Sequence, residues 1–183
     1  MLIEAYTSKW VDDFADIKRE IDLGLRGLDY QIEHVGSTSV PNLAAKAIID
    51  IDIIYPDQAD FGKIKLGLEG IGYYHNGNQG IEDRDVFKRS GKQTSGVLDT
   101  VTHHLYVGPI HSKALERHLL SRDFLRKNDW ARLEYQRMKY ELAEKANQDR
   151  KMYAHLKELT VNEFIDSIIA KERSERSTPI AQQ

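Results

Sequence analysis

Apolar positions along this chain change their period near its middle, from short runs to long helical repeats. Trp10, Val11, Phe14, Ile17 and Ile21 keep helical spacing and predict a first helix, with Ser8 placed to cap it. Gly24 and Gly27 loosen the chain before a short strand, Tyr30 to Val35, that ends at Gly36. Residues 39–46 predict a helical turn with Pro41 near its start. Ala47 to Tyr55 is a β-branched run and reads as a strand. Asp57 to Gly70 predicts a second helix, with Phe61, Ile64 and Leu68 on one side and Gly70 and Gly72 stopping it. Tyr73 opens another strand, Asn76 to Arg84 is rich in turn formers, and DVFKR (85–89) and THHLYV (102–107) read as two more strands. A polar loop around Gly91 to Gly96 separates those two.

From Ser112 to Lys171 there is no glycine or proline, and the pattern is helical throughout. Leu115, Leu119, Leu120 and Phe124 define one helix; Trp130, Leu133, Met138 and Leu142 a second, capped by Asn128; Tyr153, Leu156, Leu159, Phe164 and Ile168 a third. Trp10 and Trp130, and the tyrosines Tyr135, Tyr140 and Tyr153, are assigned to packing. The end from Glu172 to Gln183 is polar, contains Pro179, and reads as a frayed tail. The expected architecture is α+β: a mixed sheet with flanking helices over about 28–110, then a helical half over about 111–173. No Pro/Gly/Ser-rich linker divides the halves, so residues 1–173 are expected to form one compact unit, followed by a polar tail at 174–183.

Composition narrows the function classes only a little. The 183 residues are 40% hydrophobic and 30% charged, with a formal charge of −3, which gives no reason to expect long nucleic acid as a partner. The absence of cysteine excludes disulfides, thiolate metal sites and a cysteine nucleophile. The opening MLIEAYTSKWVDDF lacks the layout of a signal peptide, and no apolar run approaches the roughly 20 residues that span a bilayer. A cytoplasmic protein without a membrane partner is expected.

The chemistry concentrates in EHVGSTSVPNLAAKAIIDIDIIY, residues 33–55. Asp50 and Asp52 lie two apart in a predicted strand, so both carboxylates project from one face. Paired acids repel unless a cation sits between them, and a divalent metal holding triphosphate oxygens meets that need. The bland alternative has one aspartate capping a helix and the other solvated. Gly36 allows close backbone approach, and Ser37 and Thr38 add hydrogen-bonding groups, so the turn is suited to phosphate. Alternation in THHLYV puts His104 and Tyr106 on one face, opposite His103, Leu105 and Val107. Apart from His34, just before the Gly-Ser turn, the remaining histidines, His75, His111, His118 and His155, have no metal-type spacing. Lys46, Arg84, Arg122 and Lys157 are the cations available for phosphate; the alternative for Arg122 and Lys157 is an exposed helix charge, or a partner of Asp123 and Glu158.

The layout of Gly-Ser, spacer and D-x-D resembles that of the nucleotidyltransferase superfamily. More closely, HVGSTSVPNLAAKAIIDIDI is similar to the signature of the GrpB family within it. The resemblance continues through GIEDRDVFKR, THHLYV, RDFLRKNDWARLEYQRMKYELA and YAHLKELTVNEFI, nearly the whole chain. It implies a nucleotidyltransferase-like fold and a metal-dependent transfer of a nucleoside monophosphate from a triphosphate, with ATP expected, to an unknown acceptor. Asp50, Asp52 and His104 would hold Mg²⁺ or Mn²⁺ and carry catalysis, while Gly36, Ser37, Lys46, Arg84, Arg122 and Lys157 would bind the nucleotide. The chain departs from the superfamily pattern in offering no apolar-acid-apolar strand after Asp52 to supply a third carboxylate. Asp85 is the nearest substitute, with Glu82 and Asp83 in a loop, and His104 is the other candidate. The family often carries a second histidine where Tyr106 stands. A binding module of the same fold without catalysis is the alternative function, and an interaction domain is a third.

Overall fold

Helix α1 (Lys9–Gly24) leads into strand β1 (Gln31–Val35), and a 3₁₀ turn at Ser37–Ser39 follows directly. Strand β2 (Ile49–Tyr55) carries both aspartates, and helix α2 (Phe61–Gly70) and strand β3 (Tyr73–His75) come next. Strand β4 (Asp85–Arg89), the short helix α3 (Gly96–Thr100) and strand β5 (His103–Pro109) complete the sheet half. Three long helices, α4 (Lys113–Lys127), α5 (Asp129–Lys145) and α6 (Arg150–Ser177), make up the rest. The structure is a computed structural model that describes residues 1–91 and 96–177.

The five strands form one mixed sheet in the order β1-β2-β5-β4-β3, so the expected α+β class is the observed one. Strand β2 runs antiparallel to β1 and parallel to β5, while β4 runs antiparallel to both its neighbours. Register fixes the neighbours of each aspartate: Asp50 lies opposite Val35 and His104, and Asp52 opposite Glu33 and Tyr106. The alternate residues Ile49, Ile51, Ile53, Leu105 and Val107 turn to the other face and bury against Trp10, Ile17 and Ile21 of α1 and Ile64 and Leu68 of α2. Each such aliphatic side chain, once buried, contributes about 1.5–3 kcal/mol. A second core lies among the C-terminal helices, where Phe124, Leu125, Ala131, Tyr135, Leu142, Tyr153, Val161 and Ile168 pack with Val40, Leu43 and Ala44 from the stretch after β1.

Several expectations fail for identifiable reasons. Residues 39–46 form turns rather than a helix, because Ala45 pairs with Glu4 in an isolated antiparallel bridge. Ser8 and Asn128 stand at helix N-termini, but neither side chain caps its helix. Trp130, Leu133 and Leu159 face solvent, and the buried face of α5 is instead Ala131, Tyr135, Lys139 and Leu142. Tyr140 is also exposed, whereas Tyr135 and Tyr153 are buried as expected. The frayed tail does not begin at Glu172: that residue is buried, paired with Lys127 and Arg176, and α6 continues to Ser177. Pro179 and the last part of the predicted tail, with the middle of the Gly91–Gly96 loop, lie outside the described residues. Among the described residues no helix is long and apolar enough to cross a membrane.

Candidate nucleotide and metal site

Strand β1 ends at Val35, and the chain turns through Gly36 with φ 68° and ψ −169°, a conformation essentially reserved for glycine. A second constraint acts at the same atom, because a Cβ on Gly36 would collide with the Asp50 carboxylate. The turn is therefore seated directly on Asp50. Polar contacts hold it there: Ser39 Oγ donates to Gly36 O at 2.6 Å, and Thr38 Oγ1 donates to Ile48 O at 3.1 Å.

The two aspartates share a face of β2 but differ in environment. Asp50 is part-exposed at the cleft, and its Oδ1 meets His104 Nδ1 at 2.9 Å. Asp52 is fully buried, and both its oxygens meet Nδ1 of His118 on α4, at 3.1 and 3.0 Å. Burial pushes the Asp52 carboxyl above its ordinary value, and the His118 hydrogen bond opposes that rise. Nothing in the sequence linked His118 to Asp52, since they lie 66 residues apart.

A cavity of about 500 Å³ opens above Asp50, between the sheet and the helices, and its charged lining is mainly basic. Lys46, Lys139 and Lys157 surround it, with Arg117, Arg122 and His118 on α4 and the acids Asp50 and Glu158. Lys46 Nζ lies 5.0 Å from the centre of the Tyr153 ring, and burial, reinforced by Lys157 and Arg150, lowers its pKa. Lys139, which the sequence reading passed over, is almost fully buried and donates to Ser37 Oγ at 2.6 Å and Ala44 O at 2.9 Å. The signal was its spacing: Tyr135, Lys139 and Leu142 share the buried face of α5.

The structure gathers Gly36, Ser37, Lys46, Asp50, His104, Arg122 and Lys157 at this cavity, while Asp52 lies behind His118. Arg122 is not an exposed helix charge; it reaches Glu33 Oε2 at 2.6 Å, His34 O at 3.0 Å and Asp123 Oδ1 at 2.8 Å, tying α4 to β1. Glu33, opposite Asp52 in the sheet, is the neighbouring carboxylate that sequence reading missed, and Arg122 already engages it. Arg84 stands at one side, its guanidinium 4.9 Å over the Tyr106 ring, with its Nε buried and without a hydrogen-bond partner among the described residues. Asp85 cannot replace the third acid at this site. It aligns with Val107 on the opposite face of the sheet, bonds His75 Nε2 at 2.6 Å, and joins Glu82 and Asp83 in a separate hollow.

Among the described residues no three or more His, Cys, Asp or Glu side chains group as a complete metal cage. Magnesium is usually held by one or two carboxylates plus substrate phosphates, and Asp50 is the D-x-D carboxylate that faces the cleft, with His104 hydrogen-bonded beside it.

The family model described as GrpB protein matches residues 1–171. UPF0157 protein YqkA of Bacillus subtilis (strain 168) is 34% identical over 138 residues, a match covering 75% of this chain and 38% of that protein. UPF0157 protein PA4798 of Pseudomonas aeruginosa is 35% identical over 165 residues, covering 90% of this chain and 66% of that one. The chain thus spans less than two thirds of either relative. The crystal structure of the conserved protein GrpB from Enterococcus faecalis superposes with a TM-score of 0.77 at 26% identity, covering 96% of this chain and 99% of the other.

Proposed function

The chain belongs to the GrpB family, and on that premise we propose that its cleft binds a nucleoside triphosphate, ATP by expectation, with Mg²⁺ or Mn²⁺. It then transfers the nucleoside monophosphate to an acceptor in the cytoplasm. The observation that carries this reading is a basic cavity, lined by Lys46, Arg117 and Lys157, with the Asp50–His104 pair and the Gly36–Ser37 turn at its sheet side. Concentrated cations in a partly dry cleft match a polyanion far better than they match one another. The metal, when bound by Asp50 and His104, would neutralise phosphate charge. Gly36 lets the turn sit against the Asp50 carboxylate and so brings Ser37 to the cleft, and Lys46 and Lys157 neutralise the oxygens facing the helices. Asp52 keeps the imidazole of His118 oriented. Nucleotide, metal and transfer are each part of this proposal.

Calorimetry of ATP with Mg²⁺ tests it. Asp50→Asn should weaken metal-dependent binding by at least about tenfold, or ~1.4 kcal/mol. Unchanged binding in that variant rejects the reading. A second reading, a nucleotide-binding module without transfer, is favoured by one observation. Asp52 is tied to His118 and Glu33 to Arg122, so neither carboxylate converges on Asp50 in this state. Labelled nucleotide transferred to any acceptor excludes it.

A further inference from the structure

Lys139 is buried among groups that do not balance its charge. Its Nζ meets Ser37 Oγ at 2.6 Å, Ala44 O at 2.9 Å and the face of Tyr135 at 4.3 Å from the ring centre. No acidic side chain forms an ion pair with it among the described residues. The charged groups that act on it are Lys157 and Lys46, which disfavour its ammonium form, and Asp50, which favours it. Burial is the largest influence, and the amine lies well below its ordinary pKa as a result. The 2.6 Å contact puts Nζ within proton-transfer reach of the Ser37 hydroxyl, and burial favours the amine form that can accept that proton. A serine hydroxyl within reach of a desolvated lysine can be activated as a nucleophile.

Position makes that activation useful. Ser37 is only half-buried and lines the cleft, directly after the glycine that rests on the Asp50 carboxylate. A phosphate drawn to Asp50 and its metal therefore arrives beside Ser37 Oγ. We propose that Ser37 and Lys139 form a nucleophile–base pair, and that Ser37 takes the nucleoside monophosphate onto its own oxygen as the first acceptor. This rests on the nucleotide reading above. In the step, the Ser37 Oγ–Pα bond forms and the bond from Pα to the bridging oxygen of the β-phosphate breaks. Pyrophosphate leaves with that electron pair, and the hydroxyl proton passes to Lys139 Nζ. The protonated lysine can return its proton when the group is passed on.

The test incubates the full chain with Mg²⁺ and ATP and reads the intact mass, with peptide mapping of any adduct. The expected result is a gain of one adenosine monophosphate residue on Ser37, absent in Ser37→Ala. Lys139→Met, which keeps the length of the side chain without its base, should slow adduct formation by about a hundredfold. Circular dichroism checks that this variant is folded. A fluorophosphonate probe supplies a readout that needs neither metal nor nucleotide: it should label Ser37 in the wild type and spare the Lys139→Met protein. ATP binding by calorimetry with no adduct on Ser37 overturns the covalent step and leaves the nucleotide reading standing. No ATP binding at all removes both. Fluorophosphonate labelling that is equal in the wild type and Lys139→Met overturns the role of Lys139 as base.

Discussion

The Thr38 hydroxyl has one proton and gives it to Ile48 O, so in the 3.0 Å contact between Thr38 and His34 the imidazole Nε2–H is the donor. The ring is buried and stacked on Phe14, with centroids 4.7 Å apart. Burial first, then the charge of Arg126, lowers the His34 pKa to about 4. The folded protein thus binds fewer protons here than the unfolded chain between about pH 4 and 6.5, and stability falls as the pH drops through that window. The full effect is up to about 3 kcal/mol, and His103, also lowered by burial, acts in the same direction. Urea unfolding at pH 7 and pH 4.5 should show a clearly smaller loss of stability for His34→Gln than for the wild type. Equal losses exclude His34 as a source. None of this was legible in the sequence, where nothing tied His34 or His118 to its partner. Their partners, Phe14 and Asp52, are fixed only once α1 packs against β1 and α4 against β2. Lys139 was more accessible to sequence reasoning, because a lysine between Tyr135 and Leu142 on one helical face is an anomaly in the pattern.

Helices α1 and α2 approach so closely that their contact depends on glycine. A Cβ on Gly67 would collide with Leu25 Cδ2 at 2.7 Å and press on the backbone at Gly24. The obstacle is partly main chain, which cannot swing aside. Gly67→Ala should therefore lower stability by about 1–3 kcal/mol even though alanine is the better helix former. The crossing lies on the sheet face away from Asp50, so nucleotide affinity measured under native conditions should be unchanged. Thermal unfolding together with calorimetry checks both halves of that expectation; unaltered or raised stability refutes the steric account. At this scale the sequence was informative wherever pattern and local structure agree: β2, β4, β5, α1 and the three C-terminal helices fall close to where apolar spacing put them. It misled where a distant partner decided the outcome. Residues 39–46 give up helical form to the Glu4–Ala45 bridge. The side of α5 that faces inward is chosen by the fit of Tyr135 and Lys139 against the turn after β1, which leaves Trp130 to pack edge-on against Phe124.

Across the whole molecule, two apolar cores flank a polar seam, and the candidate site is part of that seam. Its links are specific: Arg122 to Glu33, Arg126 to Ser39 O at 2.8 Å, Gln136 Oε1 to Ala44 N at 2.8 Å, and His118 to Asp52. These pairs join residues from 66 to 92 positions apart, which is why the Gly-Ser and D-x-D layout was readable and the parts played by His118, Glu33 and Gln136 were not. A ligand in the cleft touches both sides of the seam, so its binding energy should stabilise sheet and helices together. The two tryptophans allow this to be seen, since Trp10 sits in the first core and Trp130 beside the second. In Trp130→Phe the fluorescence reports the sheet side, and in Trp10→Phe the helical side. ATP with Mg²⁺ at about a hundred times its dissociation constant adds about 2.7 kcal/mol, equivalent to a rise of roughly 5–10 °C in a chain of this size. Both reporters should rise by the same amount. Adding Lys157→Met should abolish the rise in both, because Lys157 faces the cleft from α6. A rise confined to the Trp10 signal would place the ligand on the sheet alone and remove Lys157 from the site.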